Sequence, residues 1–288
     1  MNSILISVII LGSVGALAAL ALYAVSRRFA VSEDPRIVEV EDILPGANCG
    51  ACGFNGCHDF AVKCVDRGGV DGMNCPGAGS DGMKRIAAVF GAESVDVVRN
   101  VAVLRCAGIC ESRHAAAIYH GPLSCAIVSA VSSGTESCAY GCLGCGDCIG
   151  ACRFGAIKLN SDTRLPEIDE NLCTGCGVCV GNCPRKLLQL RPYGPKGRRV
   201  WVSCSSLASG AVARRNCSAA CVGCGKCART CPFGAIVVEH NLAVIDAAKC
   251  RLCRKCVAVC PTGAIHTANF PVISPSSQSD SSHTASLL

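Results

Sequence analysis

Four stretches of the chain hold cysteines at one spacing. They are CLGCGDCIGAC (Cys142, Cys145, Cys148, Cys152), CTGCGVCVGNCP (Cys173, Cys176, Cys179, Cys183), CVGCGKCARTCP (Cys221, Cys224, Cys227, Cys231) and CRLCRKCVAVCP (Cys250, Cys253, Cys256, Cys260). Each reads C-x2-C-x2-C-x3-C, and the last three end in Pro. Thiolates at this spacing ligate [4Fe–4S] clusters: three close cysteines wrap one cubane through a tight loop, and the fourth leads away to the other cluster of a pair. On that rule Cys142, Cys145 and Cys148 join Cys183, and Cys173, Cys176 and Cys179 join Cys152. In the second pair Cys221, Cys224 and Cys227 join Cys260, and Cys250, Cys253 and Cys256 join Cys231. Zinc on paired C-x2-C knuckles is the alternative chemistry. A zinc site has no use for a third cysteine three residues on and a fourth beyond it, repeated four times.

A different motif lies earlier, in CGACGFNGCHDFAVKC. Cys49, Cys52 and Cys57 are spaced C-x2-C-x4-C. Cys75, in NCPG, and Cys64 compete for the fourth place. Cys64 falls in a predicted helix, HDFAVKCVDR, two turns and about 10 Å along the axis from Cys57. Cys75 sits on a Pro-Gly turn that can fold back, and is the preferred ligand. The later runs are an internal duplication. Cys125, Cys138, Cys142, Cys145, Cys148 and Cys152 recur 79 residues on as Cys204, Cys217, Cys221, Cys224, Cys227 and Cys231, and the partner runs recur at an offset of 77. The repeat makes Cys145, rather than Cys138, a ligand of the first ferredoxin cubane. Cys64, Cys106, Cys110, Cys125 and Cys204 have no cluster by spacing, and buried structural cysteine is the first reading for each. A sharper possibility is an extra cluster on Cys125, Cys138, Cys204 and Cys217, two from each half.

The elements that must hold these loops are short. FGAIKL, FGAIVV and TGAIHT follow three of the runs as a Gly turn and a small apolar strand, and RKLLQL follows the second run. The chain has 27 cysteines in 288 residues, a net charge of +6, 4% aromatics and one Trp. That density marks a disulfide scaffold or a metal protein, and the length and regularity argue for metal. Few aromatics and a mild, unclustered charge give nucleic-acid binding little support. Residues 1–26 carry no charged side chain and are long enough to span a bilayer. Arg27 and Arg28 follow, which predicts a body on the cytoplasmic side. A cleaved signal peptide would carry its positive charge ahead of the apolar run.

The expected class is α+β: a transmembrane anchor (1–26), a linker (27–44), a small [4Fe–4S] domain (45–84), a linking segment of strand and helix (85–137), a two-cluster ferredoxin unit (138–192), a connecting segment (193–216), a second such unit (217–269) and a Ser-rich disordered tail (270–288). GAGSDG (Gly77, Gly79, Gly82) matches a dinucleotide pattern, but it follows a Cys-Pro turn rather than a strand and reads as a flexible turn. No Ser-His-Asp set or carboxylate pair stands out for acid–base work.

The anchor, the C-x2-C-x4-C…C motif and the ferredoxin runs, in that order, resemble the B subunit of the Rnf electron transport complex of bacterial membranes. VAVLRCAGIC, GPLSC and CAYGCLGCGDC are similar to the longer form of that subunit. The resemblance implies electron transfer between reduced ferredoxin and NAD, coupled by the whole complex to sodium or proton translocation. It implies soluble ferredoxin and other subunits of the complex as partners, and the inner (cytoplasmic) membrane as location. In many such proteins an apolar residue holds the place of Cys145, which points instead to Cys138, Cys142 and Cys148. Both Cys138 and Cys145 therefore stay among the candidate ligands. Hydride delivery to NAD would fall to a partner subunit, since no flavin or nicotinamide site is evident. Two other readings are an electron-transfer subunit of another membrane oxidoreductase and a zinc-bound scaffold. Five sets of ligands predict at least five [4Fe–4S] clusters, so metal analysis after anaerobic assembly is expected to find about 20 iron atoms per chain or more. Zinc in place of iron, or about half that iron after reconstitution, would overturn the assignment.

Overall fold

The computed structural model describes residues 2–28, 33–92, 98–109, 112, 114 and 117–271. Cys110 and nearly all of the Ser-rich tail lie outside the described residues.

Helix α1 (Asn2–Arg28) has no acidic residue in its first turn and closes on Arg27 and Arg28. Its length and composition suffice to cross a membrane, and nothing among the described residues covers it. Leu11, Leu17 and Leu22 are 73, 68 and 71% exposed. A helix that is apolar all round needs a surrounding apolar medium.

The segment expected as a plain linker contains helix α2 (Pro35–Ile43). Asp34 caps it by accepting from Arg36 N at 2.9 Å, and Pro35 takes the first helical position. Arg36 also holds the Asp34 carboxyl down at about 2. Ile37, Val40 and Leu44 recur at helical spacing among acidic residues, over too few turns to stand out in the sequence. They are buried against α3 (Cys57–Arg67) and α4 (Gly79–Val89), in a core centred on the fully buried Phe60 and Ile86. The GAGSDG stretch opens α4 after a turn.

The two later units repeat one plan. In the first, β1 (Asn100–Leu104) pairs antiparallel with β4 (Leu188–Pro192), and β2 (Ile157–Leu159) with β3 (Pro166–Ile168). In the second, β5 (Arg199–Val202) pairs with β8 (Ile265–Ala268), and β6 (Ile236–Glu239) with β7 (Leu242–Ile245). Thus β1 and β5, from the linking and connecting segments, complete the sheets of the ferredoxin units. Both residues of the β6–β7 turn, His240 and Asn241, have positive φ (49° and 64°), which matches the right-handed twist of a tight hairpin. Helices α5 (Cys125–Val131) and α8 (Gly210–Asn216) occupy equivalent places before the first run of each unit.

Buried arginines clasp the two units. Arg191 of β4 donates to Ile245 O at 2.8 Å. Arg199 of β5, 3% exposed, pairs with Glu170 of the first unit. Between the first strands of the units, Trp201 Nε1 and Ser203 Oγ both donate to Leu104 O, at 3.0 and 3.1 Å. Since α1 buries none of its surface in the body, deleting residues 1–27 is expected to leave a soluble protein with its full iron content. Loss of iron from the truncated chain, or its retention in the membrane fraction, would show that the helix is not a separate module.

Candidate metal centres

Each ferredoxin loop turns through two left-handed residues. They are Gly144 and Gly146, Gly175 and Gly177, Gly223 and Gly225, and in the fourth loop Leu252 and Arg254. Backbone reversals of this kind turn successive N–H groups toward one concavity. Glycine is needed for space as well as φ. A Cβ on Gly175 would stand 2.3 Å from Asn100 O, and one on Gly223 would stand 2.7 Å from Asn241 O. Leu252 and Arg254 take the same conformation against a cost of about 1–2 kcal/mol each. After each loop a short helix carries the third cysteine: Cys148 on α6 (Asp147–Gly150), Cys179 on α7 (Val178–Asn182), Cys227 on α9 (Lys226–Thr230) and Cys256 on α10 (Lys255–Ala258).

The fold brings the crossed sets together. Cys152 lines one concavity with Cys173, Cys176 and Cys179, and Cys260 lines another with Cys221, Cys224 and Cys227. Cys250, Cys253 and Cys256 adjoin one another, and Cys231 packs in the same core as Cys250 and Cys256. Main-chain N–H groups reach the sulfurs: Ala156 N donates to Cys152 Sγ at 3.3 Å, and Leu187 N to Cys183 Sγ at 3.4 Å. Burial pushes the Cys179 thiol up to about 12, and its neighbours Cys173, Cys176, Cys152 and Cys148 add to the effect. Burial likewise pushes Cys142 to about 12 and Cys256 to about 11. Thiolates crowded this way require a compensating cation. Among the described residues no three of His, Cys, Asp and Glu are close enough to share one ion. Sulfurs around a single tetrahedral zinc stand only about 3.8 Å apart. A cubane spreads its four ligands farther, so the donor sets fit iron–sulfur clusters.

The first nest departs from the sequence expectation. Its concavity is lined by Cys142, Cys148 and Cys183, with Cys125 as the fourth thiol. Cys138 is elsewhere, in a cavity with Cys106, Cys204 and Cys217. Cys145 is not in the lining of the first nest but lies near Cys125, and its thiol donates to Leu143 O at 3.8 Å. Asp147 holds Cys125 there by accepting from Ser124 Oγ, Cys125 N and Ala126 N at 2.9, 2.9 and 3.0 Å. Spacing alone missed Cys125, because it lies 17 residues before Cys142 and outside any run.

In the N-terminal domain Cys57 is the first residue of α3, and its N–H donates to Asn48 Oδ1 at 2.8 Å. Cys75 lies close to Cys52 and Cys57. Burial pushes its thiol up, while the N–H groups of Ala78 and Gly77 favour the thiolate. Cys64 is fully buried in the apolar core, and its thiol is pushed to about 11, chiefly by burial. Cys49 lies near enough to Cys176 of the neighbouring nest to add to burial in pushing its thiol up. The two domains touch where Gly77 packs between Pro45 and Phe154.

A body assembled around several crossed thiol nests defines a multi-cluster protein of the ferredoxin class. Family models agree: "4Fe-4S dicluster domain" models match residues 141–188, 172–235 and 220–264, and a "Putative Fe-S cluster" model matches 44–76. The chain is 40% identical over 250 residues to the B subunit of the Na(+)-translocating ferredoxin:NAD(+) oxidoreductase complex of Acetobacterium woodii, covering 86% of this chain and 73% of that protein. It is 39% identical to the B subunit of the proton-translocating ferredoxin:NAD(+) oxidoreductase complex of Clostridium ljungdahlii, covering 85% of each chain. The B subunit of the ion-translocating oxidoreductase complex of Methanosarcina acetivorans is 37% identical, over 86% of this chain and 93% of that protein. The chain belongs to the B-subunit family of the Rnf complex and carries several [4Fe–4S] clusters.

Cys125 lines the first nest and Cys145 lies near it, so both are candidates for its fourth corner. Cys125→Ala and Cys145→Ala are each expected to retain iron, and the double variant to lose about four atoms by iron and sulfide assay. Full iron in the double variant would place the fourth ligand elsewhere.

Proposed function

We propose that the chain is a membrane-anchored polyferredoxin subunit. It passes electrons between soluble reduced ferredoxin and a membrane complex that exchanges them with NAD, and that complex couples the flow to ion translocation. The observation that carries this reading is that thiols of neighbouring nests lie within electrostatic reach of one another. Besides burial, Cys49 raises the thiol of Cys176, Cys148 that of Cys179, and Cys227 that of Cys256. A bound [4Fe–4S] cluster supplies a one-electron couple, at low potential when all four ligands are cysteines.

We assign Cys49, Cys52, Cys57 and Cys75 to the N-terminal cluster. The four ferredoxin clusters are assigned to the crossed sets, with Cys125 or Cys145 completing the first. The protein's own part is to hold those thiolates, direct N–H groups at their sulfurs and keep water out, which together set the potentials. Arg27 and Arg28, directly after the apolar helix, favour a body on the cytoplasmic face, where soluble ferredoxin is found. The helix has no ionisable residue from Leu5 to Val25 other than the phenol of Tyr23, so the ion path is assigned to partner subunits. Hydride transfer to NAD needs two electrons at once and is likewise assigned to a partner.

The test is co-purification through a C-terminal tag after mild solubilisation, followed by electron-transfer assays on the isolated chain. Membrane partners are expected in the eluate. The isolated chain is expected to oxidise reduced ferredoxin to the extent of its clusters and to form no NADH. NADH formation by the chain alone, or its purification without partners, would overturn the reading.

A further inference from the structure

Four cysteines that neither the ferredoxin runs nor the N-terminal motif uses as ligands meet between the two units. Cys106, Cys138, Cys204 and Cys217 line one cavity whose empty space, mouth included, is ≈320 Å³. The nests around Cys173 and Cys221 measure ≈340 and ≈350 Å³ in the same way. Cys106, Cys204 and Cys217 are 9, 8 and 7% exposed, and Cys138 is partly buried. Main-chain N–H groups are directed at the sulfurs, as in the ferredoxin nests. Cys142 N donates to Cys106 Sγ at 3.5 Å and Ser206 N to Cys204 Sγ at 3.4 Å. The N–H groups of Tyr140 and Cys221 reach Cys138 and Cys204. Thiols serving only as core filler would pack against one another and leave no such space.

The four are two equivalent pairs. Cys106 follows the last residue of β1 by two positions, and Cys204 follows the last residue of β5 by two. Cys138 and Cys217 each precede the first cysteine of their unit by four residues. The contact of Cys142 N with Cys106 repeats as that of Cys221 N with Cys204. The structural counterpart of Cys204 is therefore Cys106, 98 residues earlier, and not Cys125, which the constant offset of 79 had paired with it. Cross-links between the units close the site: Ala107 N donates to Ser203 O at 2.9 Å, Ser205 Oγ to Arg105 O at 3.1 Å, and Ser137 Oγ to Asn216 O at 3.2 Å. The Arg185 guanidinium is fixed by Gly141 O and Ser133 O at 2.5 and 2.6 Å. It lies near both Cys138 and Cys142, so one cation serves this cavity and the first nest.

We propose that Cys106, Cys138, Cys204 and Cys217 hold a further [4Fe–4S] cluster between the ferredoxin units, joining them into one relay. Assembly combines two ferrous ions, two ferric ions and four sulfides with the four thiols, which release their four protons to solvent, so no further oxidant is needed. In use, one electron arrives from the cluster beside Cys142 and leaves to the one beside Cys221, with no atom transferred. The inference rests on the polyferredoxin reading, and one control separates the two.

Native mass spectrometry with iron and sulfide assay on the full-length, anaerobically purified chain is expected to count six clusters, about 24 irons. The Cys138→Ser/Cys217→Ser variant is expected to hold about 20 and to lose one one-electron step in a coulometric titration. The control, Cys176→Ser/Cys179→Ser, removes two ferredoxin ligands and is also expected to lose about four irons. Five clusters in the unmodified chain would overturn the proposal whether or not the variants fold. So would a Cys138→Ser/Cys217→Ser variant with undiminished iron, or one zinc per chain that disappears in that variant. If the control also keeps all its iron, it is the polyferredoxin reading that falls.

Discussion

The body is organised around a single electrostatic constraint: many thiolates have to be held in small, largely buried spaces. Burial, with neighbouring thiols adding to it, drives Cys142 and Cys179 to about 12, far from ionisation at neutral pH. An arrangement that disfavours its own charged form is stable only with cationic metal in the nest and N–H groups aimed at the sulfurs. The rest of the fold follows from meeting that condition. The left-handed loop residues turn the N–H groups inward, the short helices that follow deliver the third thiol, and the two-stranded sheets are too small to form an independent core. Cysteines recur through the buried clusters of both units, so the cofactors stand in for much of an aliphatic interior.

Duplication makes one unit the template for the other, and the contacts between them decide how the copies serve one another. Arg199 of the second unit's first strand reaches Glu170 of the first unit, and Arg191 of the first reaches a carbonyl of the second. Burying two guanidinium groups is costly unless they are paired or hydrogen-bonded, so these contacts specify one docking geometry as much as they stabilise it. That geometry sets the strand-end cysteines of the two halves facing each other. The N-terminal domain is docked in a similar spirit: Gly77, without a side chain, lets its backbone approach Phe154 and brings Cys49 alongside Cys176. Closeness of the nests matters because electron transfer depends on proximity.

Much of this was legible in the residues themselves. The C-x2-C-x2-C-x3-C runs dictated iron–sulfur chemistry and the pairing of runs, because a tight loop can wrap only one cubane with three thiols. The charge-free stretch before Arg27 dictated a helix with no partner among the described residues. The short strands after the runs followed from β-branched residues behind a Gly turn. What lay beyond reach was whatever depends on bringing distant segments together. The nine-residue α2 offered too short a period to read against its acidic neighbours, and only packing on Phe60 shows why it forms. Sequence offset paired Cys125 with Cys204, since an insertion in the first half hides the correspondence of the strands. Tertiary structure placed Cys125 in the lining of the first nest and grouped Cys138, which the repeat had already set apart from it, with Cys106, Cys204 and Cys217. The sequence by itself determined the chemistry and the number of loops, because those are set by local spacing. Only the tertiary structure decided which thiols share a space, because that is set by strand pairing and by the docking of one half on the other.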